Sequence, residues 1–269
     1  MKLTIVTSVL NGAEFLADAI SSIQRQTWTE WEHIIIDAGS TDGSLDIIKA
    51  ATRGDKRVQF VERPDEPLYQ SLIWGLTNAT GDMLGWLNAD DMLTPWAMAA
   101  VARYGGADKQ REWVTGLPGC WDRNGVLRYV RADALKSRAL IKAGWYHKDL
   151  LGFIQQESVF FRRSLFESLS DAERNTIAGA SLAGDFMLWK RFAARTRLWT
   201  IPTALGGFRR HDANMSERRM EDYMKEVAAD GAVFLPPGVR HAARTVHRLL
   251  GAHMAARAAA REDLLTFSD

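Results

Sequence analysis

The run Met83-Leu84-Gly85-Trp86-Leu87-Asn88-Ala89-Asp90-Asp91 decides how this chain is read, because an apolar stretch stops abruptly at an amide and two adjacent carboxylates. Apolar residues ahead of polar ones read as a buried parallel strand whose carboxyl end leaves the sheet. In an open α/β sheet that edge is where ligands sit. Neighbouring carboxylates repel one another and call for a counter-charge, and hard divalent cations favour oxygen ligands. A cation that keeps several waters and takes one or two carboxylates completes its shell with phosphate oxygens. The segment therefore reads as a seat for a nucleotide diphosphate with Mn2+ or Mg2+. The competing reading is structural: Asn88 and Asp90 cap the helix expected from Thr94-Pro95, since Asn, Asp and Pro all favour helix starts.

Upstream, the chain alternates strand and helix. Leu3 to Thr7 is a β-branched run, and a helical pattern follows over Ala13 to Gln24. His33 to Ile36 is a second strand that breaks into Asp37-Ala38-Gly39-Ser40-Thr41-Asp42-Gly43-Ser44, and a helix runs over Ser44 to Ala51. Val58 to Val61 is a third strand, and a helix over Leu68 to Ala79 leads into the run quoted above. This order predicts a mostly parallel, Rossmann-like sheet with right-handed crossovers. Both the glycine-rich dinucleotide fingerprint and a phosphate loop ending in Gly-Lys-Ser or Gly-Lys-Thr are absent, which argues against hydride transfer and ATP-driven chemistry.

Downstream of Gly105-Gly106 the pattern changes. Runs at Trp113 to Gly116 and Val126 to Val130 flank Asp122-Arg123-Asn124-Gly125, a hairpin signal that predicts antiparallel strands added to the sheet. A helix over Asp133 to Ala143, a strand over Ser158 to Phe161, a helix near Ser164 to Ser168 and a loop over Asp171 to Ala180 are expected next. Gly184 to Ala194 reads as a helix opened by Asp185, Leu198 to Phe208 as two short strands, and Ser216 to Gly231 and Val239 to Glu262 as helices.

The chain has 269 residues, 46% of them hydrophobic, enough for one large or two small domains with a real core. Lys and Arg total 34 against 33 Asp and Glu, so no global field draws the chain to nucleic acid. The single cysteine, Cys120, excludes an internal disulfide and fits a reducing cytosol. Met1-Lys2 and the β-branched run after it are too short for a signal peptide, and no stretch reaches the roughly 18 apolar residues a membrane span needs. The expected location is cytoplasmic.

These pieces together resemble the inverting family 2 glycosyltransferases with the GT-A fold. The matching segments are Ile5-Val6-Thr7-Ser8 with Asn11-Gly12, Ile35 through Ser44, Ala79-Thr80-Gly81-Asp82, Asn88 through Asp91, Gln155 through Arg163, Ala183 through Phe192, and Gly206 through His211. Their shared order over residues 1–216 is more specific than any one of them. The resemblance implies a glycosyltransferase domain over residues 1–215, with a nucleotide-sugar half at 1–105, an acceptor half at 106–215, and a helical extension at 216–269. It implies transfer of a sugar from a nucleotide-diphosphate sugar, a UDP-sugar by preference, to a glycan or lipid-linked saccharide, as in surface polysaccharide assembly.

Site residues follow from the same resemblance. Asp37 would accept the imide N–H of a pyrimidine, with Thr7, Ser8 and Asn11 lining the base pocket and Arg63, Asp65 and Tyr69 available on the same side. Asn88, Ala89 and Asp90 correspond to the metal-binding DxD motif, with Asn in place of its first carboxylate, and Asp91 would orient Asp90 or border the sugar. Asp185 corresponds to the catalytic base, Gln156 and Glu157 border donor sugar and acceptor, and Arg209, Arg210 and His211 face the diphosphate, with His211 a second metal ligand. The bland alternatives are a turn aspartate at Asp37, a helix cap at Asp185, a pairing of Glu157 with Arg162 or Arg163, and a solvated loop histidine at His211. Pro67, Gln70 and Ile73-Trp74 depart from the family pattern.

From Val239 on, Val239, Ala242, Ala243, Val246, Leu249, Leu250 and Met254 form one helical stripe beside Arg240, Arg244, Arg248 and Arg257. Such a helix over residues 239–262 packs on its own domain or on a partner subunit, the favoured reading, or lies on the inner face of an anionic membrane. Two other functions compete with sugar transfer. A sugar nucleotidyltransferase would show a basic glycine-rich loop after the first strand, and Thr7 to Gly12 has no basic residue. A non-catalytic carbohydrate-binding protein would retain the fold with a decayed donor site.

Overall fold

The computed structural model describes residues 1–131, 136–212, 214 and 218–260. The expected helix starts at Asp133 and Ser216 lie outside the described residues, as do Glu262 and the side chains of Met254 and Arg257.

The β-branched runs form the interior of the main sheet. β1 (Leu3–Val9), β2 (Trp31–Asp37), β3 (Val58–Glu62) and β4 (Met83–Trp86) are joined by helices α1 (Ala13–Gln24), α2 (Ser44–Gly54) and α3 (Leu68–Asn78). All seven residues of β2 are buried, as expected for a strand covered on both faces. β1 pairs in parallel with β2 and β4, and β2 with β3. After β5 (Met92–Leu93) and α4 (Ala97–Ala107) come β6 (Trp113–Thr115), β7 (Gly119–Trp121), β8 (Leu127–Val130) and α5 (Arg138–Lys142). Next are β9 (Val159–Arg162), α6 (Arg163–Glu167), α7 (Asp171–Ala178), α8 (Gly184–Arg195), β10 (Trp199–Thr200) and β11 (Gly206–Arg209). Helices Met220–Ala229 and Pro237–Ala260 follow among the described residues.

The main sheet runs β10-β6-β9-β4-β1-β2-β3, so strands from both halves of the chain share it. β9 is antiparallel to both β4 and β6. A second sheet runs β5-β11-β7-β8. The mixed, mostly parallel sheet with helices around it is the GT-A arrangement.

Thr80-Gly81-Asp82, part of the family pattern, has a structural role. The Thr80 N–H and Oγ1 both bond the buried Glu32 carboxylate at 2.7 Å, and Asp82 Oδ2 accepts the Lys2 N–H at 2.9 Å. A Cβ on Gly81 would stand 2.6 Å from Thr4 Oγ1. Burial works against ionisation of Glu32, but bonds from Lys2, Thr80 and Thr4 outweigh it and hold the carboxyl at about 2. The motif thus anchors the amino end of β4 and fixes the register in which its far end reaches the sheet edge.

Four sequence expectations change. Asn88 and Asp90 cap no helix: α4 begins at Ala97, after a short strand, with Trp96 as its cap residue. The Asp122–Gly125 turn does close a hairpin, but its first strand is Gly119–Trp121, while Trp113–Thr115 joins the main sheet. Gly, Cys and Trp carry no strand alternation to announce β7. Asp171 to Ala178 is a helix, not a loop, and Ser170 with Glu173 forms a reciprocal capping box at its start. The stripe on the C-terminal helix does not pack inward: Val239, Val246, Leu249 and Leu250 are all more than half exposed, and Arg244 and His247 face the protein instead. No described helix is long and apolar enough to cross a membrane.

Candidate active site

The carboxyl ends of β1, β2 and β4 open into a cleft of about 1830 Å³, roofed by the second sheet, α8 and the C-terminal helix. Hydrogen bonds between two loops build one wall. The Asn11 N–H donates to Ser40 Oγ at 2.9 Å, Gly12 N–H to Ser44 Oγ at 3.0 Å, and Thr41 N–H to Asn11 Oδ1 at 2.8 Å. Asp37 Oδ1 accepts the Gly39 and Ser40 N–H groups at 2.9 and 2.8 Å, while its Oδ2 is buried with no protein partner. Buried polar atoms are nearly always satisfied, so this oxygen is one of the few buried side-chain acceptors left open among the described residues. Asn11 and Asp65, both lining the cleft, hold φ of 53° and 62°, a left-handed conformation rare outside glycine.

At the end of β4, Asp90 turns its carboxylate into the cleft and Asp91 turns away. Asp91 is fully buried; its Oδ1 accepts the Arg209 N–H at 2.8 Å and its Oδ2 the Asn88 amide at 3.0 Å. Burial first, then the charges of Asp90 and Glu157, push its pKa well above the usual carboxylate range. Asp90 Oδ2 meets His211 Nε2 at 2.9 Å, and the Asn214 amide stands within hydrogen-bond range of both groups. His211 sits in the loop after β11, its ring 4.5 Å from that of Phe15.

Asp185 lies in the first turn of α8, and the aromatic core sets its position. Trp189, one turn on, stacks between Trp86 at 5.4 Å and Trp113 at 5.6 Å, and Phe192 packs on Phe161 at 4.9 Å. Residues four and seven apart share one helix face, so this packing turns Asp185 toward the same interior. The helix cap is Ala183, not Asp185, whose Oδ1 accepts the Phe186 N–H at 2.7 Å. Burial raises the Asp185 pKa to about 6, and the Glu226 charge adds to it. Two further contacts brace the loop ahead of it. Glu226 accepts the Ser181, Leu182 and Ala183 N–H groups, and Tyr69 Oη donates to the Leu182 carbonyl at 3.1 Å.

A Cβ on Gly184 would lie 2.4 Å from the buried Tyr69 ring. Gly184→Ala is therefore expected to destabilise the fold by about 1–3 kcal/mol, the usual range for overpacking, and to be read as a lower denaturation midpoint. Glu226→Gln removes the charge and keeps one of the two oxygens that accept the loop N–H groups. The acid limb of any activity that depends on Asp185 should then move to lower pH in a pH–rate profile.

Between these two positions, Gln156 and Glu157 face the cleft from the turn before β9. The Gln156 amide has no protein partner at either atom, and Glu157 Oε1 has none either. Glu157 interacts electrostatically with both Asp185 and Asp90, and burial lifts its pKa to about 8. A carboxyl with a raised folded pKa binds its proton more tightly in the folded state. Its contribution to stability is therefore fully present below the unfolded pKa near 4.5 and is lost as pH rises toward 8. Glu157→Gln is expected to flatten the fall in thermal midpoint between about pH 4.5 and 8, as a buffer series would show.

Ser8, Asn11, Asp65, Tyr69, Asn88, Ala89, Asp90, Gln156, Glu157, Asp185, Arg210 and His211 all line the one cleft. Other candidates stand back from it. Thr7 is fully buried with its hydroxyl on His33 Nε2 at 2.9 Å, and Asp37 sits behind Ala38 and Gly39. Arg63 pairs with Glu66 and lies over the Trp74 ring. Arg209 is 1% exposed and bonds Asp18 at 3.0 Å, so its guanidinium braces α1 and does not face the diphosphate region. Glu157 has no pairing with Arg162 or Arg163 among the described ion pairs; Arg162 instead donates to the Gly105 carbonyl at 2.7 Å. Sequence reading missed Asn214, Tyr223 and Glu226. Asn214, three residues past His211, belongs to the same loop, but Glu226 is an ordinary helix carboxylate with no local signal.

The donor set fits a divalent cation. Asp90 and His211 offer an oxygen and an imidazole nitrogen to the same space, beside Asp91 and Glu157, whose pKa values are pushed up first by burial and then by neighbouring carboxylates. No cluster of three His, Cys, Asp or Glu side chains able to hold a metal occurs among the described residues, so a cation here would depend on ligand oxygens.

Residues 4–110 match the sequence profile of Glycosyl transferase family 2. A PGL/p-HBAD biosynthesis glycosyltransferase of Mycobacterium bovis is 31% identical over 169 residues, 62% of this chain and 61% of that protein, and the Mycobacterium tuberculosis counterpart matches equally. The chain thus spans about three fifths of the length of these relatives. Among solved structures, Staphylococcus aureus TarS 1-349 in complex with UDP-GlcNAc superposes with a TM-score of 0.65 at 15% identity, over 86% of this chain and 66% of that one. The mannosyltransferase PcManGT of Pyrobaculum calidifontis, in complex with GDP-Man and Mn2+, gives 0.56 at 17% identity over 96% and 75%.

Proposed function

We propose that this chain, whose residues 4–110 are a family 2 glycosyltransferase segment of GT-A fold, catalyses metal-dependent, inverting transfer of a sugar from a nucleotide-diphosphate sugar to an acceptor hydroxyl. A UDP-sugar is the preferred donor and a glycan or lipid-linked saccharide the acceptor. The carrying observation is that the Asp90–His211 pair and Asp185 open on one cleft, with Glu157 electrostatically coupled to both.

Loops 8–12 and 38–39 would bind the base and ribose, with Asp37 Oδ2 behind them as an acceptor. A divalent cation held by Asp90 and His211 supplies Lewis-acid stabilisation of the leaving diphosphate when bound. Asp185 takes the proton of the attacking hydroxyl. With a pKa near 6 it is ionised at neutral pH yet more basic than an ordinary aspartate. Gln156 and Glu157 orient the sugar through groups that otherwise lack partners. Calorimetry with UDP, GDP and their sugars, with and without Mn2+, tests the donor reading. Binding that Mn2+ does not strengthen, or no binding by either nucleotide, overturns it.

A further inference from the structure

We propose that the acceptor carries a phosphate group, bound at the far end of the cleft by Lys148, Arg244 and Arg248. This rests on the reading of the cleft as a glycosyltransferase site and names the chemistry of its second substrate. A continuous wall leads there from Asp185. The Tyr223 hydroxyl is in the field of Asp185, the Tyr223 ring meets Phe153 at 5.6 Å, and Phe153 and Leu150 line the cleft beyond it. The Leu150 carbonyl accepts Arg244 Nε at 2.6 Å, and the Lys148 carbonyl accepts Arg244 Nη2 at 3.1 Å. The helix Pro237–Ala260 is thereby tied to the 148–150 turn, and Arg248 lies one helical turn after Arg244 on the cleft side.

Lining charges of both signs occur in the cleft, with Arg131, Lys136 and Arg210 among the cations. The wall at the nucleotide end includes Glu14, Asp65, Glu66 and Asp90, whereas the stretches around residues 148 and 244–248 add cationic side chains and no lining carboxylate. Asp149 is the nearest acidic residue in sequence, and it acts on His147 outside the cleft lining. Some cations elsewhere in the protein are matched, as in Arg63–Glu66, Arg191–Asp230 and Arg195–Glu173. Among the described residues neither Lys148, Arg244 nor Arg248 forms an ion pair. Three cations lining a stretch of cleft wall without lining carboxylates suit a multiply charged oxyanion, for which arginine and lysine supply charge-assisted hydrogen bonds. A neutral saccharide would take hydrogen bonds from them but would not neutralise their charge.

The opposite face of the same helix exposes Val246, Leu249 and Leu250. A phosphate tethered to a lipid and a phosphate on a soluble chain would use the same cations, and only the first would also use that face.

The test is calorimetric titration of the full chain, saturated with UDP and Mn2+ so that the donor end is filled. The probes are dodecyl phosphate below its micelle concentration, inorganic phosphate, and a neutral dodecyl glycoside. Both phosphate probes are expected to bind at one site, and Lys148→Glu with Arg248→Glu should weaken them by about tenfold or more. Tighter binding of dodecyl phosphate than of inorganic phosphate supports the proposal with a lipid-linked source; equal binding supports it with a soluble one. Unchanged binding by the double variant, or binding of the glycoside as tight as that of the phosphate, overturns it. UDP affinity, measured separately, is expected to stay within about twofold in the double variant, since neither residue belongs to the nucleotide end. Loss of UDP binding by the unaltered chain would instead strike the underlying donor reading.

Discussion

Asp185→Asn is expected to lower sugar transfer by about 10²–10⁴-fold while UDP-sugar affinity stays within about twofold, because positioned general bases contribute on that scale. The amide keeps the shape of the side chain and still accepts the Phe186 N–H, so α8 and its Trp86–Trp189–Trp113 stack should persist. Only the capacity to take a proton is lost. The unaltered enzyme should carry an acid limb in its pH–rate profile near pH 6, the value to which burial lifts this carboxyl. Below that pH the base is protonated and activity falls tenfold per unit. The Asp185→Asn protein should lose that limb. Full turnover by the variant would remove Asp185 from the role of base.

The second large effect is at the other end of the reacting bond. Asp90→Ala should weaken Mn2+-dependent binding of UDP by at least roughly 10–100-fold, since replacing even an indirect partner of a metal ligand costs that much. Metal-independent binding should change little, because the base wall of Asn11, Ala38 and Gly39 is built by its own hydrogen bonds. His211→Ala should show the same pattern more weakly, as an imidazole brings no charge when neutral. Asn88 has no comparable part, because its amide is committed to Asp91 Oδ2. A calorimetric comparison with and without Mn2+ separates these expectations.

The fold was readable because its periodic elements are strongly patterned. The β-branched runs at Leu3, His33 and Val58 and the helical spacing over Ala13–Gln24 all appear where the sequence places them. What escaped was set by tertiary contact. β7 is a Gly-Cys-Trp segment that becomes a strand only by lying between β8 and β11. α7 was legible in principle, since Ser170 and Glu173 spell its capping box.

The site shows the same division. Asp90, Asp185, Glu157 and His211 sit at strand or helix ends, so topology alone brings them to one edge. The orientation of Asp91 and Arg209 was not legible, because nothing local says which of two adjacent carboxylates, or which of two adjacent arginines, turns inward. The pairing of Asp91 with the Arg209 N–H and of Arg209 with Asp18 decides both, and each spans more than a hundred residues. Glu226 was hidden for a like reason: its role comes from three N–H groups on a loop in front of α8.

The most direct test of the account is a crystal structure of the chain with UDP and Mn2+, using the anomalous signal of manganese to locate the cation. One strong peak at Asp90 and His211, beside the diphosphate, is expected, with Asp185 across the cleft from it. Manganese away from Asp90, or a nucleotide bound outside this cleft, would contradict it.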